Sequence, residues 1–372
     1  MHSAPFSLLF SLSEKFCTIN TMNSDFTSSL EKIEDVLQKN LPPSPYTASW
    51  KASSFGTTDK AVCARHIEVL AEPCRTLIES GGKRWRPLFM ILCTEAACNR
   101  RQHKAAFIKR AYTLVPLVEF VHTASLIHDD IEDNADMRRG KPAAHISWGT
   151  DTALNAGSWL YFQATACLEA ASLSDSLKLK LYDTLMRELR RLHLGQAMDI
   201  AWHKDNAAIP SVNEYLAMTS LKTGTLASLA ARCGVLAGGG SEKKATQTAA
   251  YAVNIGVGFQ IRDDVLNLTK GNAGKKRGDD IVEGKKSLPV LYHLAEYPED
   301  FKTLAAYFKQ AAEEGIDSPA VEKAVSLLLN GNAVQKAEKQ SKDFIEQSCE
   351  RIEKLYAKNA PSLLITELFS HL

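Results

Sequence analysis

The chain is 372 residues long, carries a formal charge of +1 at pH 7 and is 45% hydrophobic. That is enough for one large core or two modest ones, and so even a charge balance gives no reason to expect nucleic acid as a partner. No apolar run approaches the ~20 residues of a membrane span, and eight scattered cysteines without C-x-x-C or zinc-type spacing read as reduced thiols of a cytoplasmic protein.

Residues 1–44 are expected to form a flexible leader. Their opening stretch, "MHSAPFSLLFSLSEKF", has an apolar patch but neither a basic leader nor a clear cleavage site, and Met22 could equally be the start. From residue 45 to 372 the pattern predicts one all-α domain. Apolar residues recur every three or four positions in "KAVCARHIEVLAEPCRTLIES", "RAYTLVPLVEFVHTASLIHDD", "DTALNAGSWLYFQATACLEAASL" and "SLKLKLYDTLMRELRRLHLGQAMDI". Breakers separate these runs: "GGKRWRP", "RRGKPAA", "KDNAAIPS", "AGGGS" and "GNAGKKRGDD". Helices over 111–133 and 245–268 are apolar on most faces, as the centre of a bundle requires. No alternating strand pattern, Gly-rich phosphate loop or internal repeat is present.

The helix over 111–133 ends in acid: Asp129, Asp130, Glu132 and Asp133, with Asp136 beyond. At 100° per residue Asp129 and Asp133 lie about 40° apart and Asp130 about 60° further round, so these three share a face that one ion can reach. Like charges so close, after an apolar run, call for a cation. Oxygen-only donors favour Mg²⁺ or Mn²⁺ over zinc. A second apolar helix repeats the pattern in "GVGFQIRDDVLNL", with Asp263, Asp264 and Asn267 at i, i+1, i+4. Two such ends facing one another across a bundle can hold metals between them.

Basic residues gather beside the breakers: Lys83, Arg84 and Arg86; Arg138 and Arg139; Lys222; Lys275 and Lys276; Lys285 and Lys286. Carboxylate pairs with separate cationic clusters are the parts of a diphosphate site, the metals bridging acid to phosphate and Lys/Arg neutralising the remainder. His122 lies two turns before Asp129 on the same stripe and faces the same space.

In this order, "GGKRWRP", "HTASLIHDDIEDNADMRRGKPAAH", "GQAMDIAW", "KTG", "GFQIRDDVLNL" and "GDDIVEGKKSLP" resemble the trans-isoprenyl diphosphate synthases, or polyprenyl synthetases, over about residues 75 to 295. The resemblance implies the isoprenoid synthase type I fold, a single large orthogonal and antiparallel helix bundle around a central prenyl-binding cavity. It implies an ionisation, condensation and elimination reaction between isopentenyl diphosphate and an allylic diphosphate (dimethylallyl, geranyl or farnesyl). By resemblance, Asp129, Asp130, Asp133, Asp263 and Asp264 hold Mg²⁺, three ions per site with substrate bound, and Asp280 contributes through water. Lys83, Arg86, His122 and Arg139 match the isopentenyl diphosphate site. Arg138, Lys222 and Lys285 match the allylic diphosphate contacts. Thr223, Gln260, Gln196 and Asp199 match polar positions of the cavity, to which Phe259 would add a ring. The departed diphosphate is the family's base, which accounts for the lack of a nucleophile triad. A homodimer is implied as well.

Three positions depart from the pattern: Asn267 for a third aspartate, Ser287 for Thr and Ser158 for an acid. The residues beneath the first aspartates, Val121, Ala124 and Ser125, are small or medium, which disfavours a short product. The D-D-I-E-D spacing looks most like geranylgeranyl diphosphate synthases, with longer polyprenyl products next. A class I terpene cyclase would lack "GGKRWRP" and His122 and would carry an N-D-x-x-S-x-x-x-E motif that is missing here. A non-catalytic partner subunit would have lost first-motif aspartates, and all are kept.

Overall fold

The computed structural model describes residues 24–99, 102–205, 209–271 and 276–372. Helices carry almost all of it, and four organise the site: Trp85–Cys98, the first aspartate helix Val115–Glu132, the long helix Asp175–Lys204, and the second aspartate helix Glu242–Thr269. Their starts are written locally. The Ser174 and Ser241 hydroxyls accept the N–H of Leu177 and Lys244, and Ser211 forms a capping box with Glu214 at the start of Val212–Thr219.

The single helix expected over 111–133 is two, Lys104–Thr113 and Val115–Glu132, joined at Leu114. Pro116 explains the break, since it cannot donate to the preceding turn and sits comfortably only in a first turn. A second difference is a small antiparallel ribbon, Met137–Arg138 against Lys141–Pro142. Arg139 and Gly140, both at positive φ (52° and 74°), make its two-residue turn. That is the conformation tight hairpins prefer, and it is too short to leave an alternating pattern.

Buried apolar residues fall into two clusters that meet along the second aspartate helix. One, with Ala252, Ile255 and Phe259, unites Trp85–Cys98, the first aspartate helix and Thr225–Ala237. The other, with Val257, Ile261 and Val265, takes in Leu288–Glu296, Phe301–Glu314 and Pro319–Leu329.

The leader expected through residue 44 does not extend that far. Ser24–Asn40 is a helix whose Phe26, Leu30, Ile33 and Leu37, followed by Leu41, are buried in the first cluster. That stripe recurs every three or four residues, so burying it outweighs the polar composition around it. Residues 1–23 lie outside the described residues.

Candidate active site

One cavity of about 520 Å³ runs between the two aspartate helices and the long helix. Asp129, Asp263, Asp280 and the cations Lys83, Arg86, Arg138, Arg139, Lys222 and Lys285 line it, with His122, Gln196, Thr223 and Gln260. Leu126, Leu192, Leu226 and Phe259 supply its apolar wall, with the small Ser125 beside them.

Lys222 and Thr223 reach this space from a π-helical turn, Ser220–Gly224, wedged between the long helix and the second aspartate helix. Wide turns of this kind recur at functional sites. Here glycine permits the wedge. A Cβ on Gly195 would lie 2.3 Å from the Lys222 amide nitrogen, and one on Gly256 2.7 Å from the Gly224 Cα.

The first carboxylate cluster is clothed in protein cations. The Lys222 ammonium donates to Asp129 at 3.1 Å and to Asp199 at 2.5 Å. Arg138 grips the buried Asp130 with Nε at 2.7 Å and with Nη2, which also lies 3.5 Å from Asp129. Lys285 reaches Asp133 at 3.0 Å and also pairs with Glu283. Gln196 bridges Asp129 (3.2 Å) and Glu132 (2.6 Å). Burial alone would raise Asp129, but Lys222, Lys285 and Arg138 hold it far below the usual carboxylate range. Asp133 is pushed up by burial and by its neighbours Asp129 and Glu283. The expected common face is therefore divided: Asp129 and Asp133 meet the lysines, whereas Asp130 turns into Arg138. Among the described residues no three carboxylates, histidines or cysteines close around an ion by themselves.

The second cationic group gathers around Arg86 and His122. Arg86 Nη1 and His122 Nε2 are 3.2 Å apart, and the Arg86 guanidinium lies 4.4 Å from the Trp85 ring. Burial and the surrounding arginines push His122 well below its ordinary value, so the imidazole is neutral. Among the described residues the Arg86 Nε and His122 Nδ1 are buried without a hydrogen-bond partner. Arg139, on the hairpin turn, donates to the carbonyls of Leu77 (3.3 Å) and Gly81. Lys83 donates to the Leu372 carbonyl at 3.2 Å, which draws helix Ala360–His371 over the loop. Arg84, read in sequence with this group, instead holds the fold together. Its buried guanidinium bonds Glu34 and Glu119 at 2.7 Å each, tying the N-terminal helix to the first aspartate helix.

Several other expectations need correction. Ala124 and Val121 are fully buried in the apolar cluster and do not line the cavity. Only Ser125 of the three faces it, because neighbouring helical positions point about 100° apart. Asp264 is turned away from the cavity: Oδ2 accepts from the Tyr215 hydroxyl (2.6 Å) and the Leu288 N–H (3.1 Å), and Oδ1 from Gln260 Nε2 (3.1 Å). Burial raises its pKa to about 6, against those donors. Asp263 does line the cavity, with Lys83 and Arg86 opposing the rise that burial causes. The Asn267 oxygen accepts the Asp280 N–H at 3.3 Å and serves the following loop. Lys286 bends back to the Gly284 carbonyl (2.8 Å) over the Phe308 ring. Lys276 makes an exposed pair with Asp317, and Lys275 lies outside the described residues.

Sequence reasoning missed Tyr215, His203, Glu283, Leu192 and Leu226. His203 was within reach, since Leu192, Gln196, Asp199 and His203 form one stripe on the long helix, and its Nε2 lies 2.8 Å from Asp199. Tyr215 left no signal, because its partner is far along the chain on another helix.

A family model described as polyprenyl synthetase matches residues 67–328. The geranylgeranyl diphosphate synthase of Methanosarcina mazei is 38% identical over 235 residues, covering 63% of this chain and 70% of that protein. That of Sulfolobus acidocaldarius is 33% identical over 296 residues, 77% and 87% of the two chains. Among solved structures, the geranylgeranyl pyrophosphate synthetase from Pyrococcus horikoshii Ot3 aligns with a TM-score of 0.75 at 26% identity, covering 96% of this chain and 98% of that one.

Proposed function

Because the chain belongs to the polyprenyl synthetase family, we propose that it is a trans-prenyltransferase. It adds isopentenyl diphosphate to an allylic diphosphate (dimethylallyl, geranyl or farnesyl) and makes geranylgeranyl diphosphate. One observation carries this reading. A single cavity is lined by two cationic groups, one beside Asp129 and the other around Arg86 and His122, together with apolar side chains.

The donors present fit Mg²⁺, with Mn²⁺ as a substitute: Asp129 and Asp133 on one side and Asp263 on the other offer only oxygen. Flexible lysines, which can withdraw, hold the first two. Substrate phosphates and water would complete the coordination. The bound ion would neutralise charge growing on the leaving diphosphate.

Lys222, Lys285 and Arg138 swing from carboxylates to the allylic diphosphate. Lys83, Arg86, Arg139 and neutral His122 take the isopentenyl diphosphate. The allylic C1–O bond breaks and its electron pair leaves with diphosphate. The isopentenyl double bond then attacks C1, and the proton lost from the adjacent carbon passes to the departed diphosphate. Leu126, Leu192, Leu226 and Phe259 keep water from the cation, and Thr223 and Gln260 offer it oxygen lone pairs.

Ser125, small and on the cavity wall, supports a C20 product, as do the relatives' names. No disulfide forms among the described cysteines, which fits work in the reducing cytoplasm. No described helix is long and apolar enough to cross a membrane.

The enzyme acts as a homodimer. Leu154, Phe162 (70% exposed) and Leu194 are large apolar side chains open to solvent, the first two on helix Thr150–Gln163 and the third on the long helix, and the Tyr161–His193 ring contact joins these helices next to Phe162 and Leu194. Phe162→Asp should convert a dimer to monomer by light scattering; an unchanged mass would place the interface elsewhere.

The deciding experiment supplies labelled isopentenyl diphosphate, each allylic primer and Mg²⁺, followed by chromatography of dephosphorylated products. The expected main product is geranylgeraniol. No Mg²⁺-dependent elongation with any primer would refute the reading.

A further inference from the structure

Asp264 is the second carboxylate of its motif, yet it makes no approach to the cavity. Its Oδ2 receives two hydrogen bonds, from the Tyr215 hydroxyl and from the Leu288 N–H in the first turn of Leu288–Glu296. Its Oδ1 receives the Gln260 Nε2. Gln260 in turn accepts at Oε1 from the Thr223 hydroxyl, 2.9 Å away, and both of these residues line the cavity. All four bonds run in a consistent direction, from donors toward one buried carboxylate or toward the amide oxygen it orients.

We infer that Asp264, locked by Tyr215 and the Leu288 N–H, is a positioning residue that fixes the Gln260 amide with its carbonyl oxygen toward the reaction cavity. A carboxylate only accepts hydrogen bonds. A flipped Gln260 would set its oxygen against Asp264 Oδ1 with no proton between them, and would turn its NH₂ toward Thr223. The partial positive charge at the start of Leu288–Glu296 and the charge-assisted bonds explain why a carboxylate is kept in so buried a place.

The direction of the amide matters because the allylic carbon becomes electron-deficient in a water-poor cavity. There a carbonyl dipole stabilises the developing charge and a reversed one opposes it. The second aspartate pair is thereby divided. Asp263 serves the diphosphate and its ion, and Asp264 serves the amide. This inference rests on the prenyl-transfer reading.

Asp264→Asn keeps the shape but turns an NH₂ toward Gln260, which forces the amide to flip. It should lower kcat about 100-fold, the scale of one misdirected dipole at a reacting centre. Tyr215→Phe, which loosens the anchor without inverting it, should lower kcat about tenfold. Adding Gln260→Glu to Asp264→Asn restores an acceptor opposite the new NH₂ and an oxygen toward the cavity, and should recover at least tenfold of the loss.

A second readout needs no turnover: the rise in melting temperature on adding Mg²⁺ with inorganic pyrophosphate. It should survive in Asp264→Asn and Tyr215→Phe and disappear in Asp263→Asn. If Asp264→Asn abolishes that rise, or if the double variant is no better than the single one, the inference fails. If Asp264→Asn does not fold, an unchanged kcat in Tyr215→Phe overturns it instead. Failure of the wild-type enzyme to elongate any primer defeats the underlying reading, whereas an active wild type with indifferent variants defeats this inference alone.

Discussion

Gly195→Ala tests whether the π-helical turn is placed by backbone contact. Alanine is the better helix former, by about 1 kcal/mol, and gains that at this interior position. Against this, the added methyl would stand 2.3 Å from the Lys222 nitrogen and 2.8 Å from the Leu221 carbonyl carbon. Ordinary contact needs roughly 3.5 Å or more, so the turn must retreat by about 1 Å. Overpacking of this kind costs about 1–3 kcal/mol, and the net loss of stability is about 0–2 kcal/mol. Catalysis is the sharper readout. A displacement of about 1 Å at a positioned group costs on the order of 100-fold, and Lys222 and Thr223 both ride on this turn. The variant should therefore melt within several degrees of wild type yet lose about 100-fold in kcat, measured by steady-state elongation beside a thermal melt. Wild-type kcat would refute the packing argument, because no rearrangement of side chains alone can absorb a clash with backbone.

Three other outcomes are expected. Arg84→Ala leaves Glu119, whose side chain is 2% exposed, buried without its cation; it should cost about 3–5 kcal/mol by denaturant titration, and a loss below about 1 kcal/mol would deny the ion pair its structural role. Ser125→Phe projects into the cavity and should shorten the main product by at least one isoprene unit, whereas Ala124→Phe overpacks the core and should lower Tm without changing product length; the reverse pattern would restore Ala124 to the cavity wall. His122 is held neutral in the fold, so the unfolded chain binds the extra proton below pH 6.5. Stability must then fall as pH drops, by up to about 1.4 kcal/mol per pH unit, and His122→Gln should flatten this slope between pH 6.5 and 5; parallel slopes in the two proteins would mean the imidazole titrates in the fold.

The fold class was legible because helical periodicity survives in almost every segment, and both aspartate clusters because their i, i+1, i+4 spacing belongs to a single helix. What sequence could not carry was which side of a helix meets which neighbour. Ala124 and Ser125 are adjacent in the chain, and only packing against the surrounding helices sends one to the core and the other to the cavity. Arg84 sits between Lys83 and Arg86, but its left-handed backbone (φ 47°) turns it inward to Glu34 and Glu119. Asp263 and Asp264 read as equivalent, but one faces the cavity and the other meets Tyr215 and the Leu288 N–H. The N-terminal helix departs from the expected leader because burying its stripe of five apolar residues outweighs the polar residues around them.

The two lysines and one arginine of the first cluster govern how the site takes its substrate. Burying Lys222, Asp129 and Asp199 without partners would cost several kcal/mol per charge, so each cation is parked on a carboxylate: Lys222 on Asp129 and Asp199, Arg138 on Asp130, Lys285 on Asp133 and Glu283. A diphosphate arriving at this wall competes for the same donors. Arg138 and Lys285 can each keep a second carboxylate partner while turning toward phosphate, and Lys222 can keep Asp199. Exchange therefore never leaves a buried cation bare. The carboxylates released, Asp129 and Asp133, are the two whose oxygens then need new positive charge, which is what a divalent ion accompanying the diphosphate brings. On this account, diphosphate and Mg²⁺ should bind with strong positive coupling, each weak alone, and titration of inorganic pyrophosphate with and without Mg²⁺ measures that coupling as a ratio of affinities. Equal affinity in both conditions would mean that the lysines leave their aspartates without any replacement, and the exchange would be wrong.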